Sequence, residues 1–440
     1  MRSLVFLCLL SACAHSNPGS SRELIQNYRQ SGNYAQAFET AKAGVCEHPS
    51  DILWVGEYAQ AWSDLNHPGS IDALVATCPL SNISKVYLRA LAHASLKEFS
   101  IAKTQFKSLL SGLEKASLSE QDKAEVYYRA GLVSVLAQDF PAALRSLAIA
   151  SVSMPLRVDI RLAQAQAELS LKHYSKAAQS LFSILVLNPN TSSLVKARRL
   201  LQKGWALAEG PLPSDIQVVL QNYLSSLERG QPNSDALRQL ISLSEEHSHS
   251  RVFTVAGMVA LRLGAQKNAH QLLVKASELN LFSPDPLRIL GTSYAASNQW
   301  VKAFEPLKEA AKRNPFDPAV LSILAKVALH LNENDVAAEQ YKLLVILEPQ
   351  RSLHLLHLAR AQRKLEKYAI ARKVIKAGIE LELTIPLVLE WAVIEAEHYQ
   401  ACTDPGVKSD AKAGVQEAVS QLLELSPKHP AAKALLASLE

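Results

Sequence analysis

The sequence predicts an all-α protein with an internal repeat of 34 residues, and three observations carry that expectation. Strand signals, meaning alternating Val, Ile and Thr bounded by Asn-Gly or Asp-Gly, are absent over almost the whole chain. Small residues recur at a fixed interval: Ala269, Ala303, Ala337 and Ala371 stand 34 apart, as do Ala143 and Ala177. Helix-sized amphipathic stretches run through these points. Residues 298–315, NQWVKAFEPLKEAAKRNP, carry apolar side chains near three- and four-residue spacing, with Asn298 in the place of a cap and Pro315 at the stop.

Each recurring position has a physical reason. Twelve residues before the alanines come Gly257, Gly291, Ala325 and Ala359; Gly131 and Ala165 precede Ala143 and Ala177 in the same way. Small residues such as Gly291 and Ala303 let two helices cross closely, where larger side chains would hold them apart. Leu273, Leu307, Tyr341 and Ile375 follow the alanines by four. Three residues before the alanines, Tyr34, Phe99, Phe140, Tyr174, Trp300 and Tyr368 fill the space near the turn. Pro49, Pro155, Pro189, Pro315 and Pro349 follow by twelve and end the second helix, because proline lacks an N–H and its ring clashes with the preceding turn. Pro306 falls inside a helix, where it is expected to remove one backbone bond and bend the axis.

This frame of small, aromatic, small and proline positions over 34 residues resembles the tetratricopeptide repeat family. The resemblance implies a helical-repeat solenoid, a right-handed superhelix of antiparallel helix pairs whose first helices line a concave groove. Breaks in the spacing set the expected boundaries: an N-terminal array at 22–191 with an insertion near 111–121, a degenerate helical connector at 192–249, a C-terminal array at 250–428 and a capping helix at 429–440. Within the last unit, ACTDPGVKSD (401–410) reads as a loop, with a helix from about Ala411.

The N-terminus differs from the rest. MRSLVFLCLLSAC offers one positive charge, an apolar run from Leu4 to Leu10 and then small residues. That run is about half of what a membrane-spanning helix needs, so residues 1–12 read as a signal peptide. Leu10-Ser11-Ala12-Cys13 resembles the lipobox of bacterial lipoproteins, which implies cleavage before Cys13, acylation of that cysteine and a lipidated tether at 13–21. Ala14 stands where an aspartate would favour inner-membrane retention. The expected location is therefore the cell envelope, on the outer membrane and facing the periplasm.

Composition narrows the function. Forty-six basic against 41 acidic residues, a net +5, is a mixture without the concentrated basic field of a nucleic-acid binder. No phosphate-cradling glycine loop, HExxH, CxxC or Gly-x-Ser-x-Gly is present, so neither an enzyme nor a cofactor is expected. His354 and His357 stand three apart but nothing nearby completes a metal set, and His247 and His249 sit at a helix end, where a cation suits the dipole. Cys46 and Cys78 lie near the ends of second helices, so a disulfide and buried free thiols both stand open.

Arg288, Lys326, His330, Arg360, Arg363 and Lys364 fall on the inner side that the resemblance assigns to partners. They form either a solvated charge run or a grip for an extended acidic segment of an envelope protein. Resemblance to lipoproteins of this repeat class implies a scaffold in outer-membrane protein, secretin, pilus or cell-wall assembly. A regulatory subunit of an envelope enzyme and a groove-type carrier of apolar ligands are the alternatives.

Overall fold

The computed structural model describes residues 21–187, 189–210, 214–228, 234–437 and 439. The leader, Cys13 and the tether up to residue 20 lie outside the described residues, as do parts of the loops within the connector. Among the described residues all regular structure is helical, and the chain divides into two compact units at Gly204.

In the first unit, α1 (Ser21–Gln30) pairs with α2 (Tyr34–Glu47), and α3 (Ile52–Asp64) precedes the six-residue α4 (Ile71–Ala76). Antiparallel pairs follow: α5 (Asn82–Ser95) with α6 (Phe99–Leu113), α7 (Glu120–Leu136) with α8 (Phe140–Ser153), and α9 (Val158–Ser170) with α10 (Tyr174–Ser183). A 3-10 turn, Ile184–Leu187, leads to α11 (Thr191–Glu209), in which the division falls. The second unit holds α12 (Ser214–Glu228) and α13 (Ser234–His247). It continues with α14 (Ser250–Arg262) on α15 (Gln266–Leu279), α16 (Asp285–Ala296) on α17 (Trp300–Arg313), α18 (Pro318–His330) on α19 (Asn334–Leu347), α20 (Ser352–Lys364) on α21 (Tyr368–Leu381), α22 (Ile385–Ala401) on α23 (Pro405–Leu425), and α24 (Pro430–Ala437).

The turn within a pair repeats atom for atom. Five residues before each recurring alanine, Gly32, Lys97, Gln138, Lys172, Gly264, Asn298, Asn332 and Glu366 all have positive φ, from 56° to 76°. At each, two N–H groups close the preceding helix: Asn332 donates to Leu329 O at 3.3 Å and Glu333 to Ala328 O at 2.8 Å. This is the Schellman arrangement, which satisfies carbonyls that a helix end leaves open. Asn298 is therefore the left-handed turn residue, with φ 56°, and Gln299 takes the cap position expected of it.

Beyond the turn the second helix lies hard against the first. Ala37, Ala102, Ala143, Ala177, Ala269, Ala303, Ala337 and Ala371 are fully buried. The glycine opposite is needed less for the alanine side chain than for the leucine one turn later: a Cβ on Gly291 would stand 2.6 Å from Leu307 Cγ, and one on Gly131 would stand 2.6 Å from Leu147 Cγ. At Gly257 the added atom would meet Leu273 Cγ at 2.7 Å and Ala269 O at 3.3 Å.

Three local features depart from regularity. Helix α4 is too short to complete a pair, and the Cys46–Cys78 disulfide, with Cα atoms 5.1 Å apart, ties the end of α2 to the segment behind it. Helix α23 begins at Pro405, not near Ala411: Asp404 accepts from the N–H groups of Gly406 and Val407 at 2.9 and 3.0 Å, and proline at the first helical position needs no donor. Helix α17 runs continuously through Pro306.

Two glycine replacements test the crossing. Gly131→Ala is expected to lower stability by about 1–3 kcal/mol through overpacking against Leu147. Gly112→Ala, on α6 with nothing within 4 Å of the added carbon, is expected to raise it by roughly 0.5–1 kcal/mol, the helix-propensity gain alone. Denaturant midpoints measure both, and equal signs would refute the assigned packing.

Candidate partner-binding surface

The first helices α16, α18 and α20 carry the residues that the sequence singled out. Arg288 on α16 is held by Asp285 of its own helix, Nη2 to Oδ1 2.8 Å. Lys326 and His330 are exposed on α18, and Lys364 is exposed in the last turn of α20. The His330 imidazole stacks on Trp300, with centroids 4.4 Å apart and planes inclined by 9°.

Arg360 and Arg363, two members of the charge run read from the sequence, are not free cations. Arg360 Nε donates to Glu390 Oε2 at 2.7 Å, and Arg363 Nε donates to Glu390 Oε1 at 2.8 Å. Arg363 Nη1 also reaches Glu397. The Glu390 side chain is only 6% exposed, so its charge is matched by the two guanidinium groups instead of by water. The stripe crosses from α20 to α22 as an alternation of sign because Glu390 and Glu397 project from the next first helix.

A second polar set lies behind it. Glu395, 1% exposed, accepts from Trp391 Nε1 at 3.0 Å and from Arg372 Nη2 at 2.5 Å, while Arg372 also meets His398 Nδ1 at 3.1 Å. His398 stacks on Tyr368, centroids 5.1 Å apart, two repeats beyond the Trp300–His330 stack. The first unit has its own network, in which Glu125 and Asp159 occupy the same repeat position. Arg129 donates to Glu125 at 2.7 Å, Arg157 donates to Glu125 at 2.5 Å and to Asp159 at 2.7 Å, and Tyr128 donates to Asp159 at 2.6 Å. Those bonds hold the Asp159 carboxyl below its usual range against the opposing effect of burial, while burial pushes the Tyr128 phenol well up. Sequence inspection missed these sets, although acids recurring 34 apart at Glu125 and Asp159 were a legible signal.

The histidines divide their tasks. His354 Nε2 lies 2.8 Å from Glu348 Oε2, and His357 stacks on Tyr341 with centroids 5.1 Å apart. The hydrogen bond from His354 holds the Glu348 carboxyl below its ordinary value. Burial, reinforced by Arg360 and Lys326, lowers His357 to about 4, and burial raises the Tyr341 phenol to about 12. His249 accepts from the Arg251 N–H at 3.3 Å and so caps the start of α14, a different task from the helix-end cation expected. Among the described residues no three His, Cys, Asp or Glu side chains cluster as a metal set, and no helix is long and apolar enough to cross a membrane. A shallow, mostly apolar cavity of about 330 Å³ between α22 and α24 is lined by Val393, Ala396, Glu397, Gln400, Ala431, Ala434 and Leu435.

No protein-family model matches the chain, and no curated protein matches it. Solved structures do. YrrB, described as a TPR protein with an unusual peptide-binding site, is 13% identical over 44% of this chain and 96% of its own, with a TM-score of 0.36. The C-terminal part of a TPR repeat-containing protein from Cytophaga hutchinsonii is 13% identical over 70% of this chain and 99% of its own, at 0.34. Pseudomonas aeruginosa PilF is 18% identical over 51% of this chain and 97% of its own, at 0.31. These likenesses stop at the kind of helical repeat; no partner follows from them.

Acid stability tests the surface. His357 has its folded value, about 4, below the ordinary 6.5, so the unfolded chain binds the extra proton between them. Its contribution is full above about pH 6.5 and is lost as pH falls towards 4. His357→Phe, which retains a ring beside Tyr341, is expected to flatten the melting midpoint over that window. An unchanged slope would assign the acid limb to other groups.

Proposed function

We propose that the chain is an interaction scaffold of the tetratricopeptide type that works by binding, not catalysis, and is held at a bacterial envelope membrane by acyl chains on Cys13. The observation that carries the scaffold reading is the recurrence of one helix hairpin, with its turn at Gly32, Lys97, Gln138, Lys172, Gly264, Asn298, Asn332 and Glu366. Such hairpins stack into an extended surface of first helices, and that surface is what repeat proteins offer to partners. The lipobox-like Leu10-Ser11-Ala12-Cys13 supports the envelope part of the reading. An outer-membrane position facing the periplasm, and a partner among the proteins that assemble the envelope, complete it.

Charge favours an extended acidic segment as the part of the partner that is gripped. Lys326, His330 and Lys364 are exposed, whereas Glu390 is buried beneath two arginines. Exposed cations on an inner face steer an acidic ligand and make its capture sensitive to salt.

Two experiments separate the parts. Cys13→Ala is expected to move the protein from the membrane pellet to the soluble fraction while the melting midpoint stays unchanged, since stable anchoring needs the acyl chains and folding does not. Retention in the pellet would sink the lipid-anchor reading. Lys326→Glu is expected to weaken partner capture and to lower its salt dependence, because a steering charge is reversed. It is a cleaner probe than Arg360→Glu, which would also set like charges against Glu390. Capture of equal strength and equal salt response would exclude this face.

A further inference from the structure

Between α18, α19 and α20 two polar atoms are buried without a hydrogen-bond partner among the described residues: the Tyr341 hydroxyl and His357 Nδ1. Tyr341 is 1% exposed, so its hydroxyl is taken from water with no bond in return, which costs the fold stability. Packing alone does not call for either group. The repeat position of Tyr341 holds Phe106, Leu147, Leu181, Leu273, Leu307 and Ile375 in other pairs, and that of His357 holds Val255, Ile289 and Ile323 in the three pairs before it. Hydrocarbon fills both places in those pairs, and where the His357 position is polar elsewhere, at Arg129 and Trp391, the side chain has an acid as its partner.

The surroundings supply charge. Lys326 on α18 and Arg360 on α20, at equivalent positions 34 apart, lie close enough for both charges to act on His357 and for Arg360 to act on Tyr341. Lys326 is exposed. Arg360 is anchored to Glu390 through Nε, which orients the guanidinium and leaves its two terminal nitrogens for another acceptor.

We propose that Tyr341, His357, Lys326 and Arg360 form a subsite that reads the carboxylate of an acidic side chain in an extended partner segment. The assignment rests on the partner-binding reading and adds the residues that would recognise the ligand. The exposed Lys326 ammonium and the terminal nitrogens of Arg360, whose Nε stays on Glu390, carry the attraction, and the Lys326 side chain swings aside to admit the carboxylate to the ring floor. There the Tyr341 O–H donates to one carboxylate oxygen, and the neutral imidazole, in the tautomer with hydrogen on Nδ1, donates a second bond. Two uncharged directional donors distinguish a planar carboxylate from a diffuse anionic field.

The test uses the purified full chain and a fluorescein-labelled, C-terminally amidated decapeptide of alternating Ser and Glu, read by anisotropy, with the Gln counterpart as control. Wild type is expected to bind the Glu peptide and not the Gln peptide. Tyr341→Phe is expected to weaken that binding about tenfold, the worth of one hydrogen bond to a charged group, while its melting midpoint is unchanged or raised. A lower midpoint would mean that the hydroxyl serves the fold, and would overturn the proposal. Equal binding by Tyr341→Phe, with Lys326→Glu still impaired, would overturn the subsite and leave the groove reading standing. If wild type binds neither peptide, the acidic-segment reading fails and the subsite fails with it. Binding restored only by a free C-terminal carboxylate would overturn the side-chain source.

Discussion

The left-handed turn shared by eight of the helix pairs is the constraint on which the rest depends. Closing the first helix requires two N–H groups to return to its last turn, and that geometry demands one residue in the left-handed region. Glycine meets the demand at Gly32 and Gly264, but Lys97, Gln138, Lys172, Asn298, Asn332 and Glu366 accept it with full side chains. Each such residue costs about 1 kcal/mol of backbone strain, so the returned hydrogen bonds and the packing that follows must outweigh it. Because the turn is the same in these eight pairs, their second helices begin at the same height. The alanine five residues on then meets the first helix where only a small side chain fits.

Once the pairs are set, the second helix of each packs on the first helix of the next, while polar side chains bridge successive first helices and do more than decorate a surface. Glu390 bridges α20 and α22 by drawing in both Arg360 and Arg363, and the Arg157 guanidinium joins α7 to α9 through Glu125 and Asp159. Replacing buried ion pairs by hydrocarbon is often neutral for stability, whereas breaking one is costly. Their effect here is on which side chain faces which. The stacks of Trp300 on His330 and of Tyr368 on His398 recur at the same place two repeats apart. Asn334 and Lys364 stand in that place between them.

Much of this was legible before any coordinates. Alanines at a fixed period, glycines twelve before and prolines twelve after mark close crossings and helix ends by simple sterics, so the helix pairs could be written down. The left-handed turn was not legible, because no single residue type marks it: a lysine, a glutamine and a glutamate stand beside asparagine and glycine. The start of α23 was readable from Asp404-Pro405 and was passed over, since a loop-like composition outweighed a two-residue cap signal. For the candidate surface, the sequence reading treated Lys326, Arg360 and Arg363 as alike, whereas the two arginines are paired with acids and Lys326 is exposed.

The sequence by itself determined the class of fold, the period and the positions where helices approach most closely, because those depend on local size and on backbone rules within one pair. Only the tertiary structure decided what each charge does. Whether an arginine is a free cation or a covered bridge depends on an acid about thirty residues away, brought near by the stacking of the next pair. Likewise, the Tyr341 hydroxyl becomes an orphan only when α20 closes over it. Side-chain identity sets what bonds are possible, and burial between neighbours sets which of them are left unmade.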